Sequence, residues 1–212
     1  MNPSTTSTAY NPCDEKRSWR DQFACPTGWM GKVAGFLMSF RSAERSQWVM
    51  SQLDLEPKHR VLEIGFGSGT DIKRALEEAS FVAGVDHSST MLEQASSRNR
   101  DAIVAKKADL KLGSADALPF GDAEFDRVFA INVAQFWPDR VRVMHEVRRV
   151  TKPGGMVCVA VQPRSKGATD QAAGQMGTTL ASAFRDAGFE DIRVQTKSMK
   201  PVATVCVSAR RG

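Results

Sequence analysis

Residues 61–72 read VLEIGFGSGTDI. A short strand, RVLEIG, carries one acid, Glu63, into three glycines spaced two apart, and a helical stretch follows at once. Glycines at such a junction let the backbone turn tightly and approach a ligand without Cβ clashes. In an open parallel sheet the ligand site lies beyond the carboxyl ends of the strands, where strand order reverses, and the first strand normally carries it.

The chain on either side supplies that sheet. TDIKRALEEAS after the glycines is helical, with Thr70 or Asp71 placed as its N-cap. FVAGVD is a second strand, and SSTMLEQASSRNR a second helix opened by capping serines. LKLGSAD is a third, weaker strand and FDRVFAIN a fourth. Pro138 opens the next helix, as proline does at a first helical position, and Val141, Met144, Val147 and Val150 line one face of it. KPGG stops that helix and turns the chain into MVCVAVQ, the fifth strand. The polar, glycine-rich PRSKGATDQAAGQMG leads to a last helix over residues 178–187, ended by Gly188. DIRVQT and ATVCVSA close the chain, joined too closely for a parallel crossover, and so form an antiparallel hairpin. The expected fold is α/β: a doubly wound seven-stranded sheet, mostly parallel, with an antiparallel C-terminal hairpin.

Upstream, residues 31–53 carry a helical pattern through Val33, Phe36, Leu37, Phe40, Trp48, Val49 and Leu53, while residues 1–28 are polar and mixed. We divide the chain into an N-terminal segment, 1–30, and one domain, 31–212. The opening MNPSTTSTAYNP lacks the basic start and apolar stretch of a secretion signal, and no apolar run reaches the roughly 18 residues of a membrane span. Of four cysteines, Cys13, Cys25, Cys158 and Cys206, none forms a C-x-x-C pair, which fits a cytoplasmic protein better than a disulfide framework. Lys plus Arg number 29 against 24 Asp plus Glu, a net charge of +5. The basic residues are dispersed, without the aromatic-interleaved stripe of a nucleic-acid surface.

The glycine spacing narrows the ligand. A dinucleotide fold uses G-x-G-x-x-G with a pyrophosphate on the helix N-terminus. Here the pattern is G-x-G-x-G, and Thr70 stands in the place of that motif's third glycine. Glu63 is badly suited to lie beside a phosphate, whereas near a cation its charge would help. Asp86, at the tip of the second strand, is placed to accept hydrogen bonds from both hydroxyls of a ribose, and Asp116, beyond the third, from an adenine amino group. The ligand these acids describe has an adenosine end, a positive charge and no phosphates, as S-adenosylmethionine has.

On these residues the chain resembles the class I S-adenosylmethionine-dependent methyltransferases of the small-molecule type. VLEIGFGSGTDI resembles their first motif and VAGVDHSSTML their second. GSADALPFGDAEFDRVFAINVAQFW resembles the third and fourth strand motifs, and HEVRRVTKPGGMVCVAV the helix, turn and strand that follow. The match runs over residues 61–161 and more loosely beyond. The resemblance implies a Rossmann-like methyltransferase fold, with S-adenosyl-L-methionine as cofactor and S-adenosyl-L-homocysteine as product. It implies that Gly65, Gly67 and Gly69 pass under the methionine and ribose portions. Glu63 orients the loop or helps bind the amino group, Asp86 holds the ribose, His87 and Met91 lie near the adenine, and Ala115 and Asp116 line its edge. Asn132 and Val133 border the sulfonium, and Gln135, Phe136 and Trp137 face the acceptor.

Methyl transfer requires acceptor, methyl and sulphur nearly in line, and holding reactants so can remove about 7–11 kcal/mol of barrier. The leaving group is already activated, so no metal is needed. A hydroxyl acceptor would gain about 10²–10⁴-fold from a general base. His59 lies at the wrong end of the first strand, His145 on a sheet-covering helix where a structural role is expected, and His87 beside the adenine. No catalytic base is singled out.

INVAQFW after the fourth strand lacks the Asn-Pro-Pro-aromatic segment of enzymes that methylate nucleic-acid or glutamine amines. Asn132 also replaces the aspartate of metal-dependent catechol enzymes. The expected reaction is transfer to O, N or C of a small organic metabolite by a monomer or homodimer, with no nucleic-acid or membrane partner. The alternatives are a non-catalytic adenosine-cofactor-binding subunit and a nucleotide-dependent oxidoreductase. Tyr10, Trp19, Phe23, Trp29 and Met30 make the N-terminal segment unusually aromatic; it reads as a lid over the cofactor, with Tyr10, Trp29 and Met30 in the acceptor pocket, or as a helix packing its aromatics on the sheet or a second subunit.

Overall fold

Val61, Leu62 and Ile64 are buried, and their strand lies at the centre of a seven-stranded sheet. The computed structural model describes residues 43–165 and 167–212. In chain order these form α1 (Ala43–Leu53), β1 (Arg60–Ile64), α2 (Thr70–Ala75), β2 (Phe81–Asp86), α3 (Ser89–Arg98), α4 (Arg100–Val104) and β3 (Ala108–Leu112). Then follow β4 (Phe125–Ile131), a 3₁₀ turn (Ala134–Phe136), α5 (Arg140–Val150), β5 (Thr151–Val161), α6 (Asp170–Asp186), β6 (Phe189–Lys197) and β7 (Thr204–Arg211).

The strand order is β3-β2-β1-β4-β5-β7-β6. β1 pairs in parallel with both β2 and β4, and β7 runs antiparallel to β5 and β6; its pairing with β6 is the hairpin the sequence predicts. The chain moves outward to one side of β1 and then to the other. The loops leaving β1 and β4 therefore diverge and open a crevice at their carboxyl ends. Register sets Glu63 between Gly84 of β2 and Phe129 of β4.

Apolar layers cover both faces, because side chains alternate along each strand. Leu62, Val128 and Val157 pack against Val143, Met144 and Val147 of α5 and Leu180 and Phe184 of α6. Val61, Phe129 and Cys158 pack against Val49 and Leu53 of α1 and Ile72 of α2. Burying each large apolar side chain is worth about 1.5–3 kcal/mol. Among the described residues no helix is long and apolar enough to cross a membrane.

Several local expectations are corrected. Neither Thr70 nor Asp71 caps α2: its N-cap is Gly69, in the left-handed region, and Asp71 instead accepts from the Ser46 hydroxyl at 2.9 Å and from Arg74. The β3 strand starts and stops earlier than LKLGSAD, which leaves Asp116 in a loop. α5 begins after Asp139, whose carboxylate accepts from the Arg142 N–H at 3.0 Å; Pro138 lies before that cap. Its buried face is Val143, Met144, Val147 and Val150, with Val141 only partly buried, and His145 projects to solvent. Lys152–Gly155 bulges out of β5, whose pairing with β4 jumps from Thr151 to Met156. α6 starts at Asp170, not 178. The Thr169 side chain caps it, and Gly174 and Gly177 do not break it because Ala173, Leu180 and Phe184 anchor its buried face. The N-terminal segment and its boundary at residue 30 lie outside the described residues, as does the pattern from Val33 to Phe40.

Candidate active site

The Glu63 side chain enters the crevice floor from β1. It is 2% exposed, and its Oε2 has no hydrogen-bond partner. Burial first, then the neighbouring Asp71 and Asp86 carboxylates, push its pKa well above the usual carboxylate range, with Arg74 opposing.

The three glycines divide the work. A Cβ on Gly65 would lie 2.3 Å from Val133 Cγ1, so this glycine admits the loop leaving β4. One on Gly69 would lie 2.7 Å from Ala95 Cβ, so this one lets α3 pack on the loop. A Cβ on Gly67 would meet nothing within 4 Å. Only there does bare backbone face open space.

Asp86 ties the glycine loop to α3. Its Oδ2 accepts from the Gly67 N–H at 2.9 Å and its Oδ1 from the Ser88 N–H at 3.0 Å. Burial pushes its pKa up, against these backbone hydrogen bonds and the nearby His87, whose Nδ1 lies 3.7 Å from Oδ1. His87 is half exposed at the rim. Ser88 caps α3 through the Met91 N–H, and the Met91 side chain is buried. From the far side Arg98 Nε donates to Ser68 O at 2.9 Å and Asn99 Nδ2 to Gly69 O at 3.0 Å. The sequence reading had no role for either; polar side chains ending a helix about 30 residues downstream carry no local signal.

After β3, Asp116 accepts from the Ser114 hydroxyl and lies 3.6 Å from Arg142 Nε, while Ala115 packs against the core. After β4, Asn132 adopts φ 58°. Its Oδ1 accepts from the Gln162 N–H at 2.8 Å, and its carbonyl accepts from Gln135 Nε2 at 2.8 Å. Gln135 Oε1 is buried without a partner. Phe136 is 47% exposed, and Trp137, 7% exposed, counts among the buried apolar residues. Tyr10, Trp29 and Met30 lie outside the described residues. His59 is buried at the amino end of β1, where its Nδ1 accepts from the Glu56 N–H at 2.9 Å. Burial holds its pKa below the usual imidazole value. Neither it nor His145 reaches the crevice.

A family profile described as "Methyltransferase domain" matches residues 62–159. An uncharacterized methyltransferase, YdaC, of Bacillus subtilis is 31% identical over 181 residues, covering 84% of this chain and 98% of its own. The methyltransferase GfsG of Streptomyces halstedii is 34% identical over 116 residues; the match takes in 54% of this chain and only 42% of that one. Among solved structures, an N-methyltransferase of Haemonchus contortus, in complex with phosphomonomethylethanolamine and S-adenosylhomocysteine, superposes with a TM-score of 0.65. It is 17% identical, over 80% of this chain and 52% of that one, a likeness of fold. The chain belongs to the class I S-adenosylmethionine-dependent methyltransferases, and S-adenosylmethionine is its cofactor.

The donor set suits that cofactor. Glu63, Asp71 and Asp86 make the crevice floor acidic, with one carboxylate oxygen unpartnered and one stretch of bare backbone open above it. A diphosphate would meet these three acids at close range, whereas a cation relieves them.

Proposed function

We propose that this protein transfers a methyl group to O, N or C of a small organic metabolite by in-line displacement. The observation that carries the reading is the unpartnered Oε2 of Glu63 together with the open backbone at Gly67, four residues on. Bound S-adenosylmethionine supplies an activated methyl on a sulfonium. The chain's own residues bind and align.

Glu63 offers its free oxygen to the ammonium group, and Gly65, Gly67 and Gly69 lie under the methionine and ribose. Asp86 retains lone pairs for the ribose hydroxyls after accepting from Gly67 and Ser88. His87, Met91, Ala115 and Asp116 surround the adenine. Asn132 and Val133 border the reacting centre, and Asn132 is held there at both its side-chain and backbone oxygens. Gln135, Phe136 and Trp137 face the acceptor. Tyr10, Trp29 and Met30, on a segment that closes over the crevice, complete its pocket and exclude water. Rigid alignment of this kind supplies about 7–11 kcal/mol. No side chain is assigned as a general base. The protein acts on a free small molecule in the cytoplasm, as a monomer or homodimer, without nucleic acid or membrane.

The test is calorimetry with S-adenosylhomocysteine and NADH, followed by an acceptor screen read by S-adenosylhomocysteine release. The wild type binds the former and not the latter. Asp86→Ala weakens binding by at least about tenfold, the loss of one hydrogen bond to a charged group. Undiminished affinity in Asp86→Ala would show that the ribose lies elsewhere.

A further inference from the structure

Arg45 carries a charge that the fold buries with little to balance it. It lies on α1, is 4% exposed, and makes a single hydrogen bond, from Nη1 to Gln162 Oε1 at 2.8 Å. Its Nε is sealed from solvent with no partner, and Nη2 donates to nothing. No carboxylate among the described residues lies within ion-pair distance of it. Asp71 attracts it from farther off, but that acid already accepts from Ser46 and Arg74. A second cation, Arg164, is close enough to repel it. Burial first, then Arg164, lower the Arg45 pKa to about 10.

The free edge has a definite shape. Nε and Nη2 lie on the same side of the planar guanidinium, and that side pairs with two oxygens of one carboxylate or phosphate at once. Nη1, on the other side, is the atom already used.

The position is also definite. Gln162 immediately follows β5. Its Nε2 donates to Val202 O at 2.8 Å and to Lys200 O at 3.2 Å, which leaves Oε1 for Arg45. Its N–H donates to Asn132 Oδ1 at 2.8 Å. Arg45 is therefore linked through one residue to Asn132 at the tip of β4, which the proposed function sets beside the reacting centre.

We propose that Arg45, with Arg164 beside it, receives an anionic group of the methyl acceptor, a carboxylate or a phosphate, on its Nε–Nη2 edge. This rests on the methyltransferase reading above and narrows it to acidic small molecules. A plainer role, a staple between α1 and the end of β5, needs one N–H and no charge. It leaves the buried, unpartnered Nε unexplained, since a buried donor without an acceptor is costly.

The test uses the full chain loaded with S-adenosylhomocysteine, titrated with acetate and with inorganic phosphate at constant ionic strength. Binding is followed by calorimetry and thermal shift. The wild type binds at least one of the two saturably. Arg45→Gln weakens that binding by at least about tenfold, the loss of one charge-assisted pair, and Arg45→Lys falls between. Preference for acetate identifies a carboxylate acceptor, and preference for phosphate a phosphorylated one. Absence of saturable binding to both, or equal affinity in wild type and Arg45→Gln, overturns the proposal. Should Arg45→Gln not fold, Arg164→Gln carries the same test: a loss of anion affinity upholds the site and unchanged affinity overturns it. S-adenosylhomocysteine affinity is measured in the same preparations. Its loss in the wild type would sink the cofactor reading, whereas failed anion binding with that affinity intact sinks only the acidic acceptor.

Discussion

Gly67 and Gly69 are two residues apart and both left-handed, at φ 52° and 74°, yet alanine at the two positions has different consequences. A side chain in that backbone region costs about 1–2 kcal/mol. At Gly67 that is the whole cost to the ligand-free fold, since the new methyl meets nothing within 4 Å. At Gly69 the methyl would lie 2.7 Å from Ala95 Cβ and Asn99 Nδ2 and 2.8 Å from Ala95 Cα. Overpacking of this kind adds about 1–3 kcal/mol. Each kcal/mol moves the melting temperature of a domain this size by about 2–4 °C, so Gly69→Ala melts roughly 2–12 °C below Gly67→Ala. The affinities run the other way. The methyl of Gly67→Ala occupies the space assigned to cofactor, and a clash of about 1–3 kcal/mol weakens S-adenosylhomocysteine binding about 5–150-fold. Thermal denaturation by circular dichroism and calorimetric titration of both variants check this. Wild-type affinity in Gly67→Ala would refute the assignment of that opening to the cofactor. Equal melting temperatures would refute the packing argument.

The raised pKa of Glu63 has a sign that pH reads out. The folded state keeps its proton to higher pH than the unfolded chain, so it binds more protons in that window, and stability falls as pH rises from the ordinary carboxylate range through the raised value. Glu63→Gln removes this burden: the ligand-free variant melts above wild type at about pH 8, the gap narrows toward about pH 5, and cofactor affinity drops. A gap independent of pH would contradict the assignment of a buried, neutral carboxyl. Deletion of residues 1–30 abolishes turnover while the remaining chain still unfolds cooperatively; turnover at the wild-type rate would eliminate the lid.

The turn and strand end from which the site is read were legible because their signals are local. GFGSG sits at a strand end whatever the rest of the chain does, and Asp86 terminates β2 at a register that apolar FVAGV alone predicts. The helix caps show where local reading runs out. Ser88 caps α3 as expected, through the N–H three residues on, whereas Asp71 is drawn off by Ser46, 25 residues away. α6 begins eight residues early because its buried face, with Leu180 and Phe184 in the core, outweighs the glycines within it. The burial of Trp137, 7% exposed, likewise has no signal in the residues beside it.

By itself, then, the order of residues determined the alternation of strands and helices, the position of the glycine turn, and the preference for a cation over a diphosphate. Those follow from side-chain period, backbone freedom and charge, each a property of a few adjacent residues. Only the tertiary structure decided which glycine faces open space, that Glu63 keeps an unpartnered oxygen, and that Arg45 meets Gln162 across 117 positions of chain. Those depend on which surfaces the sheet order brings into contact, and strand order is set by the packing of the whole chain rather than by any segment of it.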